Sequence, residues 1–186
     1  MNSQIDAAIE VLKRGGIILY PTDTIWGIGC DATNENAVEK IYKIKKRQDS
    51  KSLIILASNI DMVCKYVKQI PEIAISLMEV NDKPMTIIYP DAIGLAKNAI
   101  AADGSIGIRV PNNEFCTKLI TRFHKPIVST SANISGEKAP KYYEDITDEI
   151  INAMDYIVDP AFEDSTHNAS QIIKVGLKNE IEIIRE

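Results

Sequence analysis

The sequence predicts a single α/β or α+β domain over residues 1–186, with a twisted mixed β-sheet flanked by helices. The chain has 186 residues, which is enough for one substantial hydrophobic core and too few for two ordinary domains. Short apolar runs typical of buried strands alternate with amphipathic stripes typical of helices, without a strict strand–helix rhythm. No repeat, low-complexity run or linker divides the chain.

The first half of the chain carries clear start and stop signals. Apolar residues at helical spacing predict a first helix, with Ser3 as its N-cap and Gly15-Gly16 as its end. Continuous apolar runs predict buried strands at 17–20 and 53–56. Between them, an apolar stripe predicts a helix over 35–46.

The second half is predicted to complete a mixed sheet. Its predicted elements are helices near 59–68 and 71–80, strands at 85–89 and 105–110, a helix from Asn112 or Asn113 to about His124, a strand at 126–130, a helix near 143–153, a strand at 156–158, and a hairpin of 170–175 with 180–185.

Composition excludes several classes of protein. Hydrophobic residues make up 45% and charged residues 25%, as in ordinary globular domains, which excludes disordered and fibrous chains. No apolar run approaches the ~20 residues that span a bilayer, and early charges interrupt any signal peptide. Three scattered cysteines and two histidines lack zinc-ligand spacing. We therefore expect a cytoplasmic protein with no membrane association and no tightly bound metal.

The distribution of charge is uneven. The net charge of −5 argues against a general nucleic-acid binder. Between Lys40 and Lys51, however, six basic residues face one acidic residue. A concentrated cationic segment on an acidic chain suits the phosphates of a nucleotide, and a solvated helix face is the alternative explanation.

Three polar segments adjoin predicted strands and could hold a ligand beyond the strand ends: 21–29, 45–53 and 129–136. The last segment packs four hydroxyls, one amide and one glycine into eight residues, and such groups can bind phosphate or carboxylate oxygens. The chain contains no P-loop, no Rossmann glycine motif and no G-x-S-x-G motif.

Two cationic motifs carry further information. Lys45 and Arg47 offer two different grips on phosphate oxygens, and the stripe of the 35–46 helix places Lys45 where the buried face meets solvent. Arg109 follows apolar positions on a predicted strand and is expected to point inward, which requires an anionic ligand or an internal acidic partner. The pattern alone leaves both possibilities open.

Together these segments resemble the YrdC-like family of threonylcarbamoyl-AMP synthases. The resemblance covers roughly residues 5 to 185, and its motifs occur in the order found in the family. The matching segments are Pro21-Thr22-Asp23-Thr24-Ile25-Trp26-Gly27-Ile28-Gly29, Lys45-Lys46-Arg47, Pro84-Met85-Thr86, Ile108-Arg109-Val110-Pro111, Ser131-Ala132-Asn133-Ile134-Ser135-Gly136 and Asn168-Ala169-Ser170-Gln171-Ile172-Ile173.

The resemblance implies a YrdC-like fold with a concave ligand cavity and a defined reaction. L-threonine, bicarbonate and ATP would give threonylcarbamoyl-AMP and pyrophosphate, for N6-threonylcarbamoyladenosine modification of tRNA by a downstream transferase complex. Mg²⁺ is expected to enter with the triphosphate.

The resemblance also implies roles for individual residues. Lys45 and Arg47 would be catalytic, and Thr24, Arg109 and Ser131 would bind threonine. The residues implied in ATP binding are Lys45, Arg47, Lys51, Ser105, Asn133, Lys141 and Ser170.

Two alternatives remain from the sequence. One is a non-catalytic module that binds tRNA or rRNA; the basic segment favours it, and the net charge and the lack of a paired aromatic platform disfavour it. The other is a family paralogue with altered chemistry, because Gln48 and Asn81-Asp82-Lys83 depart from the family's usual motifs. Weak RNA binding is expected at most.

Overall fold

The computed structural model describes residues 1–46, 53–80 and 82–186. The helices in this part of the chain are α1 (Asn2–Lys13), α2 (Glu35–Ile44), α3 (Ile60–Tyr66), α4 (Glu72–Val80), α5 (Glu114–Phe123) and α6 (Asp148–Asn152). The strands are β1 (Ile18–Tyr20), β2 (Gly27–Gly29), β3 (Ile54–Leu56), β4 (Met85–Tyr89), β5 (Ile106–Arg109), β6 (Ile127–Ser131), β7 (Tyr156–Ile157), β8 (Gln171–Val175) and β9 (Ile181–Arg185).

The described strands form one mixed sheet in the order β7-β1-β2-β6-β3-β5-β4-β8-β9. Three neighbouring pairs are parallel (β1 with β7, β3 with β5, β4 with β8), and the other pairs in this order are antiparallel. This arrangement confirms the predicted fold class. It also brings together in space the polar segments that follow β1, precede β8 and end β6.

Asparagine side chains cap three helices that flank the sheet. Asn34 accepts from the Ala37 amide at 3.2 Å to start α2, and Asn59 and Asn113 start α3 and α5 in the same way. Such caps satisfy amide groups that the helix itself leaves unpaired. At the other end of α5, His124 adopts a left-handed conformation (φ 60°) that stops the helix.

The two faces of β5 border two different cavities. All four residues of this strand are buried, because both faces of the sheet are covered. Gly107 and Arg109 face one cavity, and Ile108 faces another cavity on the opposite side. Successive residues of this strand therefore face two different cavities.

Three details of the predicted elements are wrong. Ser3 lies inside α1, whose N-cap position is Met1, so it caps nothing. The helix near 143–153 is interrupted, with a 3₁₀ turn at Tyr143–Asp145 followed by the short α6. Strand β2 was not predicted, since two of its three residues are glycines that carry no side-chain pattern.

Close packing explains one of those glycines. A Cβ atom on Gly29 would lie 2.6 Å from Cε1 of Tyr20 and 2.8 Å from the carbonyl oxygen of Val128. Tyr20 is fully buried, and its hydroxyl donates to that carbonyl at 3.3 Å. A residue without a side chain therefore lets the Tyr20 ring pack directly onto the sheet.

Candidate active site

A cavity of about 340 Å³ lies on the face of the sheet where the polar segments meet. We call it the central cavity. Its polar lining residues are Thr24, Thr86, Arg109, Ser129, Thr130, Ser131, Ser170 and Arg185. Its size falls in the range of small-molecule sites. No Asp, Glu or His occurs among the described residues of the lining, so the cavity offers hydroxyl groups and positive charge.

The ion pair of Arg109 with Asp23 forms one wall of this cavity. Arg109 and Asp23 are both buried, and NH1 of the guanidinium donates to Oδ1 of the carboxylate. NH2 of Arg109 also donates to Oγ1 of Thr24 at 3.3 Å. The internal acidic partner left open by the sequence is therefore present, and Arg109 also faces the cavity where an anionic ligand would lie.

Thr24 is itself held by its neighbours. Its hydroxyl lies 2.8 Å from the Thr22 hydroxyl, which also accepts from the Thr24 amide at 3.1 Å and donates to the Ile25 carbonyl at 2.8 Å. This local turn fixes the Thr24 hydroxyl against Arg109. Two of the three residues implied in threonine binding, Thr24 and Arg109, are thus brought into direct contact.

Lys45 lies beneath the loop that follows β6. Its ammonium donates to the carbonyls of Ser131 and Asn133 (2.7 Å for Asn133) and to Oδ1 of Asn133 at 3.2 Å. Its own carbonyl accepts from the Ser135 amide at 2.8 Å. Lys45 is only 3% exposed, so the prediction that its ammonium emerges at the solvent boundary is wrong. The carbonyl partners come from a segment distant in sequence and leave no signal near Lys45.

The same loop is ordered by its own side chains. The Ser131 hydroxyl donates to Oδ1 of Asn133, and Nδ2 of Asn133 donates to the carbonyl of Glu137 at 2.6 Å. Ser131 lines the central cavity, whereas Asn133 lies behind it. Lys45, Ser131 and Asn133 therefore form one connected network of hydrogen bonds.

Ser170 and Arg185 close the opposite side of the cavity. The Ser170 hydroxyl lies 2.8 Å from that of Thr86, and the Ser170 carbonyl accepts from Nε and NH2 of Arg185 at 2.9 and 2.6 Å. Arg185 was not predicted as a site residue. It reaches the cavity because β9 pairs with β8 and places Arg185 opposite Ile172, which also lines the cavity.

Arg185 and Arg109 contribute like charges to one small space. Burial, followed by the positive charge of Arg109, lowers the pKa of the Arg185 guanidinium below its usual value. Among the described residues, no carboxylate lies within ion-pair distance of Arg185. Two neighbouring guanidinium groups, only one of them paired with an acid, favour an anionic ligand.

The remaining predicted site residues are not all brought to this cavity. Ser105 immediately precedes β5, at the end opposite Arg109. Its hydroxyl donates to Asp103, which lowers the pKa of Asp103 to about 2. Lys141 is outside the lining, although Ala139 belongs to it. Arg47 and Lys51 lie outside the described residues.

Comparisons with known proteins give the family. The Sua5/YciO/YrdC family model, described as "Telomere recombination", matches residues 10–186. The chain belongs to this family. It is similar to the threonylcarbamoyl-AMP synthase of Pseudoalteromonas translucida (strain TAC 125), with 35% identity over 84% of this chain and 86% of that protein. The synthase of Blochmanniella floridana is 36% identical over 73% of each chain.

Solved structures agree with this result. P. abyssi Sua5 complexed with L-threonine superposes with a TM-score of 0.85 and 27% identity over 92% of this chain. The chain spans half the length of that Sua5 chain. E. coli YciO superposes with a TM-score of 0.82 over the whole chain, and its 23% identity supports the fold alone. Within the described residues, no helix is both long and apolar enough to span a membrane.

The ion pair predicts the effect of removing Arg109 on stability. In Arg109→Ala, the Asp23 carboxylate stays buried without its partner, which should lower the free energy of unfolding by about 3–5 kcal/mol. Arg109→Lys retains a charge and should lose less. Thermal or urea denaturation measures both. Arg122→Ala is the control, since it breaks an exposed pair with Asp6 and should cost less than about 1 kcal/mol. An Arg109→Ala variant as stable as wild type would contradict the buried pair.

The hydrogen bonds from Lys45 to Ser131 and Asn133 predict a local effect of removing the Lys45 side chain. Lys45→Ala removes a donor from the Asn133 carbonyl and one of the donors to the Ser131 carbonyl, which keeps the Asn133 amide as a partner. The 131–136 loop should therefore open more often, and its amides should exchange faster with deuterium. Lys43→Ala, at an exposed pair with Glu39, should leave this exchange unchanged. Equal exchange in the two variants would show that Lys45 does not hold the loop.

Proposed function

We propose that this protein makes threonylcarbamoyl-AMP and pyrophosphate from L-threonine, bicarbonate and ATP. The curated relatives described above bear the name of this activity, and P. abyssi Sua5 has been crystallised with L-threonine. The central cavity is the observation that carries the proposal. It combines two arginines with clustered hydroxyl groups, and its described lining residues include no acid.

The reaction requires positive charge in the site and correct orientation of the two substrates, and it uses no nucleophilic side chain of the protein. The threonine amine combines with bicarbonate to give a carbamate and water. A carbamate oxygen then attacks the α-phosphorus of ATP, a new P–O bond forms, and the bond to pyrophosphate breaks with its electron pair leaving on pyrophosphate. Both reactants are anions, so positive charge and orientation are what the site must supply.

Threonine is proposed to lie against Arg109, Thr24 and Ser131. The guanidinium offers paired N–H donors that match a carboxylate, and a hydroxyl group can pair with the hydroxyl of threonine. All three residues line the central cavity, and Arg109 and Thr24 already contact each other. The ordered Ser131 hydroxyl closes the same side through its bond to Asn133.

ATP is proposed to occupy the rest of the cavity and its entrance. Arg47 and Lys51 would contact the phosphates, and Ser105, Lys141 and Ser170 the remainder of the nucleotide. Lys45 would place its charge beneath the phosphate-facing loop and order it through Ser131 and Asn133. To these the structure adds Arg185, whose guanidinium lines the cavity and can pair with a phosphate.

Mg²⁺ is proposed to arrive with the triphosphate as part of the substrate. Among the described residues, no group of three or more His, Cys, Asp or Glu side chains could hold a metal ion. The donors of the cavity are instead hydroxyl groups and guanidinium N–H groups, which suit the phosphate oxygens themselves.

The product fixes the kind of reaction that must follow. A carbamate joined to the phosphate of AMP is an activated acyl group, and it hydrolyses unless an acceptor takes it. We propose that a tRNA-modifying transferase complex in the cytoplasm consumes it, with tRNA as the acceptor in that later step.

The basic segment does not favour the alternative of an RNA-binding module. Among its described residues, Lys43 and Lys46 pair with Glu39 and Glu149 at 2.6 and 2.7 Å, and Lys40 donates to the Gly15 carbonyl at 2.8 Å. Lys45 is buried in the loop network. These contacts reduce the positive field that a polyanion would meet outside the cavity.

Pyrophosphate release by the purified protein tests the proposal. It should require ATP, threonine and bicarbonate together. Arg47→Ala should lose about tenfold or more in kcat/KM for ATP, because one charge-assisted contact contributes about 1.5–3 kcal/mol.

Lys46→Ala is the matched control for Arg47→Ala. It removes a neighbouring positive charge that pairs with Glu149 at the surface, and activity should be unchanged. Wild-type activity in Arg47→Ala at subsaturating ATP would refute the phosphate role. Pyrophosphate release that needs no threonine would refute the proposed reaction.

The RNA alternative makes a different prediction. A synthase should turn over at full rate without RNA, and any tRNA binding should be weak at physiological salt. An RNA-binding module should bind tRNA tightly with a steep salt dependence, which electrophoretic mobility shifts measure. Nanomolar tRNA binding in a protein that binds no nucleotide would favour the module.

A further inference from the structure

Asp23 lies between two cavities on opposite faces of the sheet. Its partner Arg109 lines the central cavity, whereas Asp23 lines a second cavity of about 700 Å³. We call the second one the outer cavity; its walls include Val63, Met78, Ile87 and Ile108. The buried ion pair is therefore part of the partition between the two cavities.

Both carboxylate oxygens of Asp23 have hydrogen-bond partners, and one of these partners is Arg109. Oδ1 accepts from NH1 of Arg109, and Oδ2 accepts from the backbone amide of Asn112 at 3.2 Å. The Asp23 carbonyl in turn accepts from the Thr166 amide at 3.0 Å. The carboxylate is thus held by the Asn112 amide, the main chain of Asp23 is held by the Thr166 amide, and the guanidinium gains a fixed point of attachment.

This attachment leaves part of the guanidinium for a ligand. A guanidinium has five N–H donors in a rigid plane. Described partners take one from NH1, for Asp23, and one from NH2, for Thr24. Without Asp23, the Arg109 side chain could adopt many rotamers, and its remaining N–H donors would not be held in one orientation.

We propose that Asp23 is a positioning residue that orients Arg109 toward the carboxylate of threonine. This role rests on the proposed function. It places Asp23 outside the set of groups that touch substrate, since the carboxylate faces the outer cavity and acts through Arg109. The competing possibility is that Asp23 occupies donors that threonine needs, in which case its removal would tighten threonine binding.

Steady-state kinetics of Asp23→Asn distinguish these roles. The amide keeps the size of the side chain but loses the charge that fixes Arg109. We expect the KM for threonine to rise about 10–100-fold, the effect of one charge-assisted hydrogen bond, and the KM for ATP to stay within about twofold.

Asp31→Asn is the matched control. Asp31 is also buried and also pairs with a cation, Lys125 at 2.7 Å, but it lines neither cavity. The same chemical change there should leave both KM values unchanged, even where it lowers the melting temperature. If the threonine KM rises equally in the two variants, the effect of Asp23→Asn comes from a general loss of stability of the fold, and the proposal is overturned.

Chemical rescue provides a readout that a purely structural role would not give. Asp23→Ala leaves a space between Arg109 and the Asn112 amide that opens on the outer cavity. Formate can enter this space and replace the carboxylate, so it should lower the threonine KM of Asp23→Ala at constant ionic strength. Formate should leave wild type and Asp31→Ala unchanged. Absence of rescue in a folded Asp23→Ala would contradict the positioning role.

A double-mutant cycle covers the case in which Asp23→Asn alone folds poorly. Asp23→Asn with Arg109→Gln removes both buried charges together. If Asp23 acts through Arg109, adding Asp23→Asn to Arg109→Gln should not raise the threonine KM further. A full additional increase would refute the proposal.

The outcomes separate this proposal from the proposed function. Wild-type protein without threonine-dependent pyrophosphate release would refute the function and the positioning role with it. Active wild type with an unmoved or lowered threonine KM in Asp23→Asn would refute the positioning role alone.

Discussion

A buried charge is tolerated in a folded chain only when its partners recover the free energy lost on leaving water. In this protein, Arg109 and Asp23 meet that condition for each other at the end of β5. The pair joins the turn after β1 to the strand that carries Arg109, and the Thr166 amide ties the same turn to the segment before β8. The wall between the two cavities, and with it the polar side of the central cavity, depends on this contact.

Lys45 is a second buried cation, and it too needs partners that compensate for the loss of its contacts with water. The ammonium of Lys45 donates to carbonyl and amide oxygens at the end of β6 and in the loop after it, and these dipoles stabilise its buried charge. The loop thereby gains a fixed shape and a positive charge beneath it. Together with Arg109 and Arg185, this arrangement gives a region whose described lining carries cations and hydroxyls, which suits the joining of two anions.

Patterns in neighbouring residues predicted most of the fold. The features that the sequence did not predict depend on contacts between residues far apart in the chain. Strand β4 and the β8–β9 hairpin were predicted because apolar patterning and turn residues are local, and Asn179 indeed adopts a left-handed turn conformation (φ 65°). The burial of Lys45 depends on carbonyls 86 and 88 residues away, and Arg185 enters the cavity through the register of two strands. The family motifs selected Thr24, Arg109, Ser131 and Ser170 as candidates, and the fold brings these four residues to one cavity. The internal partner of Arg109 emerged only from the fold.

The fate of the bicarbonate carbon tests the central claim most directly. Incubation with ¹³C-bicarbonate, threonine and ATP, followed by mass spectrometry, should give an adenylate that contains threonine and one ¹³C atom, with one pyrophosphate released for each adenylate. Variants at Arg109 and Arg47 should make less of the same labelled product. An unlabelled threonyl adenylate, or AMP and ADP without a labelled adenylate, would contradict the account.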